Sequence, residues 1–367
     1  MWVKDTVENL CEIEYGTRVV RKREQGTIYP VYGGGGETFR IDRKNRTSRV
    51  VIARFGMSER YTRYVDGDFF LNDSGLTLSP KSDELSQDFL NKIIFSLNDS
   101  IYSIGRGTAQ KNLNMDAFKK LIISYPPAGE QERIVAKLDA AFAEIDEVVD
   151  TTNESLKSIQ QLFLTSLDTS VNADDLGELI PLGEICELAQ GLAINKGTKH
   201  LLVGNSSKPL IRIKDLINET EEQYITDEYE NTKTEVNEED LIFTRTGSLG
   251  LVFRGRKGVL HNNSFKVTPN QAISKDYLYW WLKNPSFLDS IHKISGKAAQ
   301  PDISHKLFKA QQIKVPTAAK QKDIVAKIEL LFKQIEKMKK INLYKLHQIH
   351  ALKSAMLFQE LQPSEAA

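Results

Sequence analysis

The sequence predicts an α+β chain in which two globular regions alternate with two long antiparallel helices forming a coiled coil. The halves are related by an intramolecular pseudo-twofold axis. Three observations carry this expectation. Residues 131–142 read QERIVAKLDAAF and residues 321–332 read QKDIVAKIELLF, an offset of 190. Each stretch opens a helical pattern just after proline, at Pro126-Pro127 and at Pro316. Each is preceded by a region of short apolar runs and turn signals. Two copies of one unit in 367 residues are an internal duplication.

Residues 1–125 form the first globular region. Val50, Val51, Ile52 and Ala53 read as a buried strand. Residues 28–32 read as a strand and Gly33, Gly34, Gly35 and Gly36 as a flexible turn after it. Residues 89–97 suit a short helix. Residues 126–170 form the first long helix. From Ile134, steps of four and three select Leu138, Ala141, Ile145, Val148, Thr152, Ser155, Ile159, Leu162 and Ser166, a heptad seam with a polar middle. The 37 residues 131–167 would span about 55 Å as one helix.

The polar, acidic run 168–177 reads as a linker, and residues 171–180 separate the first long helix from the second globular region. Residues 181–315 repeat the first region's plan at lower similarity. VVIARFG at 50–56 matches LIFTRTG at 241–247. Gly107, Thr108, Ala109 and Gln110 match Lys297, Ala298, Ala299 and Gln300, with Leu113 on Ile303 and Phe118 on Phe308. Residues 316–362 form the second long helix, with its seam on Ile324, Ile328, Leu331, Ile335, Met338, Asn342, Lys345, Ile349, Leu352 and Met356. Such a stripe must be buried. The other copy is one partner; packing of each helix on its own globular region is the alternative. Net charge of −9 over residues 126–180 and +4 over residues 316–362 and the short tail favours pairing.

Hydrophobic content of 40% and charged content of 27% suit a soluble globular protein. No apolar run approaches the roughly 20 residues of a membrane span, and the charged start MWVKDTVENL does not read as a signal peptide. A cytoplasmic chain is expected. Cys11 and Cys186 sit in matching contexts, LCEIEYG and ICELAQG, and read as a buried repeat position rather than a disulfide.

Catalytic signals are weak. The four glycines 33–36 lack the Lys-Ser/Thr of a phosphate-binding loop. Residues 284–287, NPSF, resemble the N-P-P-F/Y of adenine methyltransferases, but the second proline is missing and the segment reads as a break after a helix. The six histidines show no metal-ligand spacing. Basic residues are more informative. Arg40, Arg43, Lys44, Arg46, Arg49, Arg54, Arg60 and Arg63 cluster with Tyr61 and Tyr64, and Arg245, Arg254, Arg256 and Lys257 surround Gly247 and Gly250. Such clusters neutralise phosphates and place guanidinium forks on guanine edges, or form solvated faces. Arg54 and Arg245 both follow a buried strand and stand two residues before a glycine.

Two variable regions, each followed by a near-repeated P-x-x-x-E/K-Q-x-x-I-V-A-K-[LI] helix, resemble the specificity subunits of type I restriction–modification enzymes. The resemblance covers essentially the whole chain and is most specific in the two helices. It implies that each globular region is a target recognition domain for one half of a bipartite double-stranded DNA sequence. Candidate DNA contacts are then Arg43, Lys44, Arg46, Arg54, Arg106, Gln110, Arg245, Arg254, Lys297 and Gln300. The helices would set the spacing and dock two methyltransferase subunits, with Gln131, Ile134, Leu138, Ile145, Gln321, Ile324, Ile328 and Ile335 as the docking and coiled-coil residues. The chain itself would be non-catalytic. S-adenosylmethionine, and ATP with Mg where a restriction subunit joins, would be bound by partner subunits. A coiled-coil scaffold with protein-binding ends is the competing reading. Pro127 becomes Thr317 and Glu130 becomes Lys320, so docking at the two ends would differ in strength.

Overall fold

The computed structural model describes residues 1–24, 26–57, 62–107, 111–295 and 301–362. It divides into two compact units. Met1–Asn153 with Leu343–Ala367 form the first, and Glu154–Asn342 the second.

In the first unit a six-stranded sheet runs in the order Cys11–Tyr15, Gly75–Pro80, Arg46–Ala53, Thr62–Leu71, Tyr29–Tyr32, Arg40–Ile41. Pairing is antiparallel except between Tyr29–Tyr32 and Thr62–Leu71. The expected strand at Val50–Ala53 is the buried end of Arg46–Ala53, where β-branched side chains fill the core. The helix Gln87–Ser96 starts at Ser86, whose hydroxyl accepts from Phe89 N, and buries Phe89, Leu90, Ile93 and Ile94. Strand Val3–Thr6 pairs antiparallel with Ile122–Tyr125, so the region's two ends meet where the long helix begins.

The second unit repeats this closure with Leu179–Pro181 against Gln312–Lys314. Its strands form a four-stranded sheet, Cys186–Gln190, Ser264–Pro269, Leu241–Thr244, Val252–Phe253, and a five-stranded one. Cys11 pairs in register with Pro80 and Cys186 with Pro269. Both cysteines are free and buried, and burial pushes the thiols up to about 12 and about 11. They are a repeated core position, as expected from their contexts.

The two long helices are Ala128–Asn172 and Ala318–Glu360. The first overruns the expected linker. Leu167 and Val171 are buried in the second unit's core, and Asp168 accepts from the backbone N–H and hydroxyl of Ser286 at 3.0 and 2.8 Å. Acidic composition suggested a loop because these partners lie over a hundred residues away. A short 3-10 turn, Asp174–Leu176, then leads into the next strand.

Inside each unit the helices run antiparallel. In the first, Lys137 pairs with Glu360 at 2.6 Å and Asp146 with Lys353 at 2.8 Å. In the second, Phe163 meets Phe332 with ring centroids 5.5 Å apart, and Asn342 Nδ2 donates to Ser155 Oγ at 3.4 Å. The heptad reading fails at its ends and at the seam positions Val148 and Met338, which are exposed. The seam residue Ile159 is buried, but Leu162 is 58% exposed, and Phe163, Leu167 and Val171, outside the seam, are buried instead. Leu352 is likewise exposed while Leu357 and Leu361 are buried. A helix of 3.6 residues per turn drifts against a 3.5 repeat, and at these ends the stripe follows a globular core. Ile134, Leu138 and Phe142 join the first region's core together with Leu357 and Leu361. Packing on globular cores and packing between helices therefore coexist.

Candidate nucleic-acid interface

Strand Arg46–Ala53 delivers Arg54 to the sheet's end. Its backbone N–H donates to Ser74 O and its carbonyl accepts from Leu113 N, fixing the residue on both sides. The guanidinium lies 4.6 Å from the Tyr15 ring centroid and 4.9 Å from that of Phe55, and donates to Asp73 O at 2.8 Å. Phe55 remains 54% exposed. Gly56 follows with φ 59°, a turn that disfavours a side chain.

Strand Leu241–Thr244 delivers Arg245 in the same way. Its N–H donates to Asn263 O and its carbonyl accepts from Ile303 N, the counterpart of Leu113. The guanidinium lies 5.5 Å from the Phe265 ring centroid and donates to Asp302 at 2.6 Å, while its buried Nε has no hydrogen-bond partner among the described residues. His305 stands edge-on to Phe265 at 4.5 Å. Burial, then the charges of Arg245 and Lys309, hold its imidazole below the usual histidine range. Gly247 and Gly250 follow with φ 78° and 90°. Each unit thus presents a strand-end arginine backed by an aromatic ring and followed by a left-handed glycine.

The other basic candidates divide by environment. Arg43 is exposed, lies 4.6 Å from the Phe70 ring centroid and pairs with Glu24 at 2.5 Å; this bond raises its pKa. Lys44 is exposed and pairs with Asp68 at 2.6 Å, which raises its pKa as well. Arg106 is exposed, with Asp116 at 3.9 Å. These three can exchange a carboxylate for a phosphate at little cost, because exposed ion pairs are worth little. Arg46 cannot. Its side chain is 16% exposed and binds Thr77 Oγ1, Tyr15 O, Asn45 O and Glu14, so it fastens neighbouring strands together. Arg254 lies over Tyr279 and reaches Asp276 at 2.6 Å and Glu329 at 3.6 Å, bracing its sheet against the second long helix. Gln110, Lys297 and Gln300 lie outside the described residues, as do Arg60 and Tyr61.

The eight helix candidates are not a free surface. Gln131, Ile134, Leu138, Gln321, Ile324, Ile328 and Ile335 are buried, and Ile145 is half-buried. They hold each helix on its own unit. The exposed apolar side chains of the second helix are Leu330, Met338 and Ile341 in the second unit, and Leu343, Tyr344, Leu352 and Phe358 in the first. The heptad reading placed Met338 and Leu352 in the seam and left the other five outside it.

The NPSF segment caps a helix. Asn284 is fully buried; its Oδ1 accepts from Phe287 N and its Nδ2 donates to Trp281 O, while Pro285 starts Pro285–Ile294. That amide is not free to hold a base. Among the described residues no group of three or more His, Cys, Asp or Glu could hold a metal ion. No described helix is long and apolar enough to cross a membrane.

The type I restriction modification DNA specificity domain model matches residues 1–158 and again residues 177–344. The chain belongs to this family. Its two copies coincide with the two arginine-bearing regions. A putative type I specificity subunit of Mycoplasma pneumoniae is 25% identical over 207 residues, covering 52% of this chain and 54% of that protein. The EcoKI specificity subunit of Escherichia coli K12 is 24% identical over 273 residues, covering 66% of this chain and 57% of that one. The chain thus spans little more than half the length of these relatives. A solved structure concerned with complex assembly and conformational transition of the type I R-M system superposes with a TM-score of 0.72 at 18% identity, covering 98% of this chain and 97% of that chain. This likeness establishes a shared fold with mixed helix and sheet.

Proposed function

We propose that this specificity-family chain is the DNA-reading, non-catalytic subunit of a type I restriction–modification complex in the cytoplasm. Each globular region reads one half of a bipartite target. The two helices form an antiparallel coiled coil with pseudo-twofold symmetry, set the gap between half-sites and dock two methyltransferase subunits. S-adenosylmethionine, and ATP with Mg where a restriction subunit joins, belong to those partners. The duplicated strand–arginine–glycine geometry at Arg54 and Arg245 is the observation that carries the reading. The exposed apolar side chains of the second helix, rather than the buried seam, are the docking surface in this account.

Arg54→Ala is expected to weaken one half-site and Arg245→Ala the other, each by about 1–3 kcal/mol of base discrimination. Competition binding with oligonucleotides altered in one half-site measures this. Equal loss on all sequences with a shallower salt dependence would assign the side chains to phosphates. Unchanged binding in both variants would remove them from the interface. A protein-binding scaffold would show no sequence selectivity and little salt dependence.

A further inference from the structure

We propose that Gln131 and Gln321 are positioning residues that fix how each recognition domain stands on its long helix, and so determine which spacer length the complex accepts. This role rests on the DNA-reading function proposed above.

The two side chains make the same three bonds. Ser86 N–H donates to Gln131 Oε1 at 2.8 Å, and Gln131 Nε2 donates to Glu84 O at 2.7 Å and Pro126 O at 2.8 Å. Ser274 N–H donates to Gln321 Oε1 at 2.8 Å, and Gln321 Nε2 donates to Ala272 O at 3.0 Å and Pro316 O at 2.9 Å. Both are sealed from water, at 1% and 2% exposure. One amide therefore joins the cap of the domain's own helix, the loop before that cap and the peptide that opens the long helix.

The surroundings of the two pins have diverged. In the first unit Lys92 lies over Phe142 and pairs with Asp139. In the second, Trp280, six residues beyond the cap like Lys92, packs against Phe332, the counterpart of Phe142. Apolar burial is non-directional and tolerates small rotations. Three short hydrogen bonds from one planar amide do not, because a misaligned buried bond loses most of its strength. A globular region of this size has a radius of gyration of about 13 Å. Tilting it by about 15° moves its reading surface by about 3.4 Å, the rise of one base pair. An angular pin at the helix start is thus a spacer filter.

The test expresses the full chain with its methyltransferase partner and maps methylation genome-wide for Gln131→Ala, Gln321→Ala and the volume-conserving Gln131→Met and Gln321→Met. Half-site sequences are expected to stay as in the parent. Methylation at spacers one base pair longer or shorter, relative to the preferred spacer, should rise roughly tenfold. A loss that is uniform over all spacers, or a spacer preference unchanged in folded variants, would overturn the role and leave the glutamines as stabilising residues only. The methionine variants carry the decision where an alanine variant does not fold. A parent chain that directs no two-part methylation would instead overturn the DNA-reading function beneath it, and the parent map alone reveals that outcome.

Discussion

Ile134→Asp is expected to unfold the junction between the first long helix and its globular region, and Ile324→Asp to do the same in the second unit. Ile134 is buried beside Leu138, Phe142 and the helix-end residues Leu357 and Leu361, and Ile324 beside Ile328 and the second region's aromatic core. Loss of a buried isoleucine's packing costs roughly 2–5 kcal/mol, and burying an unpaired carboxylate adds to it. A domain holds about 5–15 kcal/mol in all, so one substitution removes a large share. Thermal melting with limited proteolysis reads the result for each unit. The first unit should become labile with Ile134→Asp and the second with Ile324→Asp, and assembly with the methyltransferase should fall with either. A variant that melts like the parent would show that the helices do not organise these cores.

A seven-residue insertion into both helices, after Thr152 and after Asn342, is expected to widen the gap between half-sites without changing either. These positions lie within a residue of the boundaries between the two units, so both cores keep their contacts. Seven residues preserve the heptad phase, whereas other lengths rotate the seam. One heptad adds about 10 Å, which at 3.4 Å per base pair corresponds to about three base pairs. Three is an upper value, since the duplex need not run parallel to the helices. Methylation mapping should return the same half-sites with a longer spacer. An unchanged spacer in a folded, active variant would show that the helices do not set the distance. Altered half-sites would move base reading out of the globular regions.

The duplication was legible in the sequence because it rests on local words: the two IVAK helices, the prolines before them and the matched cysteines. The match of Leu113 with Ile303 was legible too, and in the structure both donate to the carbonyl of the strand-end arginine. What escaped depends on distant partners. The acidic run at 168–177 read as a linker because nothing local shows that Asp168 binds Ser286. Arg46 read as a DNA contact because its clasp on Glu14 and Thr77 joins strands far apart in the chain. Gln131 and Gln321 stand out in the repeat, but their bonds point inward to backbone the sequence does not place beside them. The exposure of Phe55 is a property of the fold that no local pattern shows.

In the proposed function, two separate regions of one chain each read half of a DNA target. Methylation mapping of cells that express this chain with its methyltransferase partner, compared with cells lacking the chain, tests it most directly. The expected result is chain-dependent adenine methylation at two short fixed sequences separated by a gap of constant length and unread sequence, with Arg54→Ala relaxing one half and Arg245→Ala the other. A single uninterrupted motif, or methylation that does not depend on the chain, would contradict it.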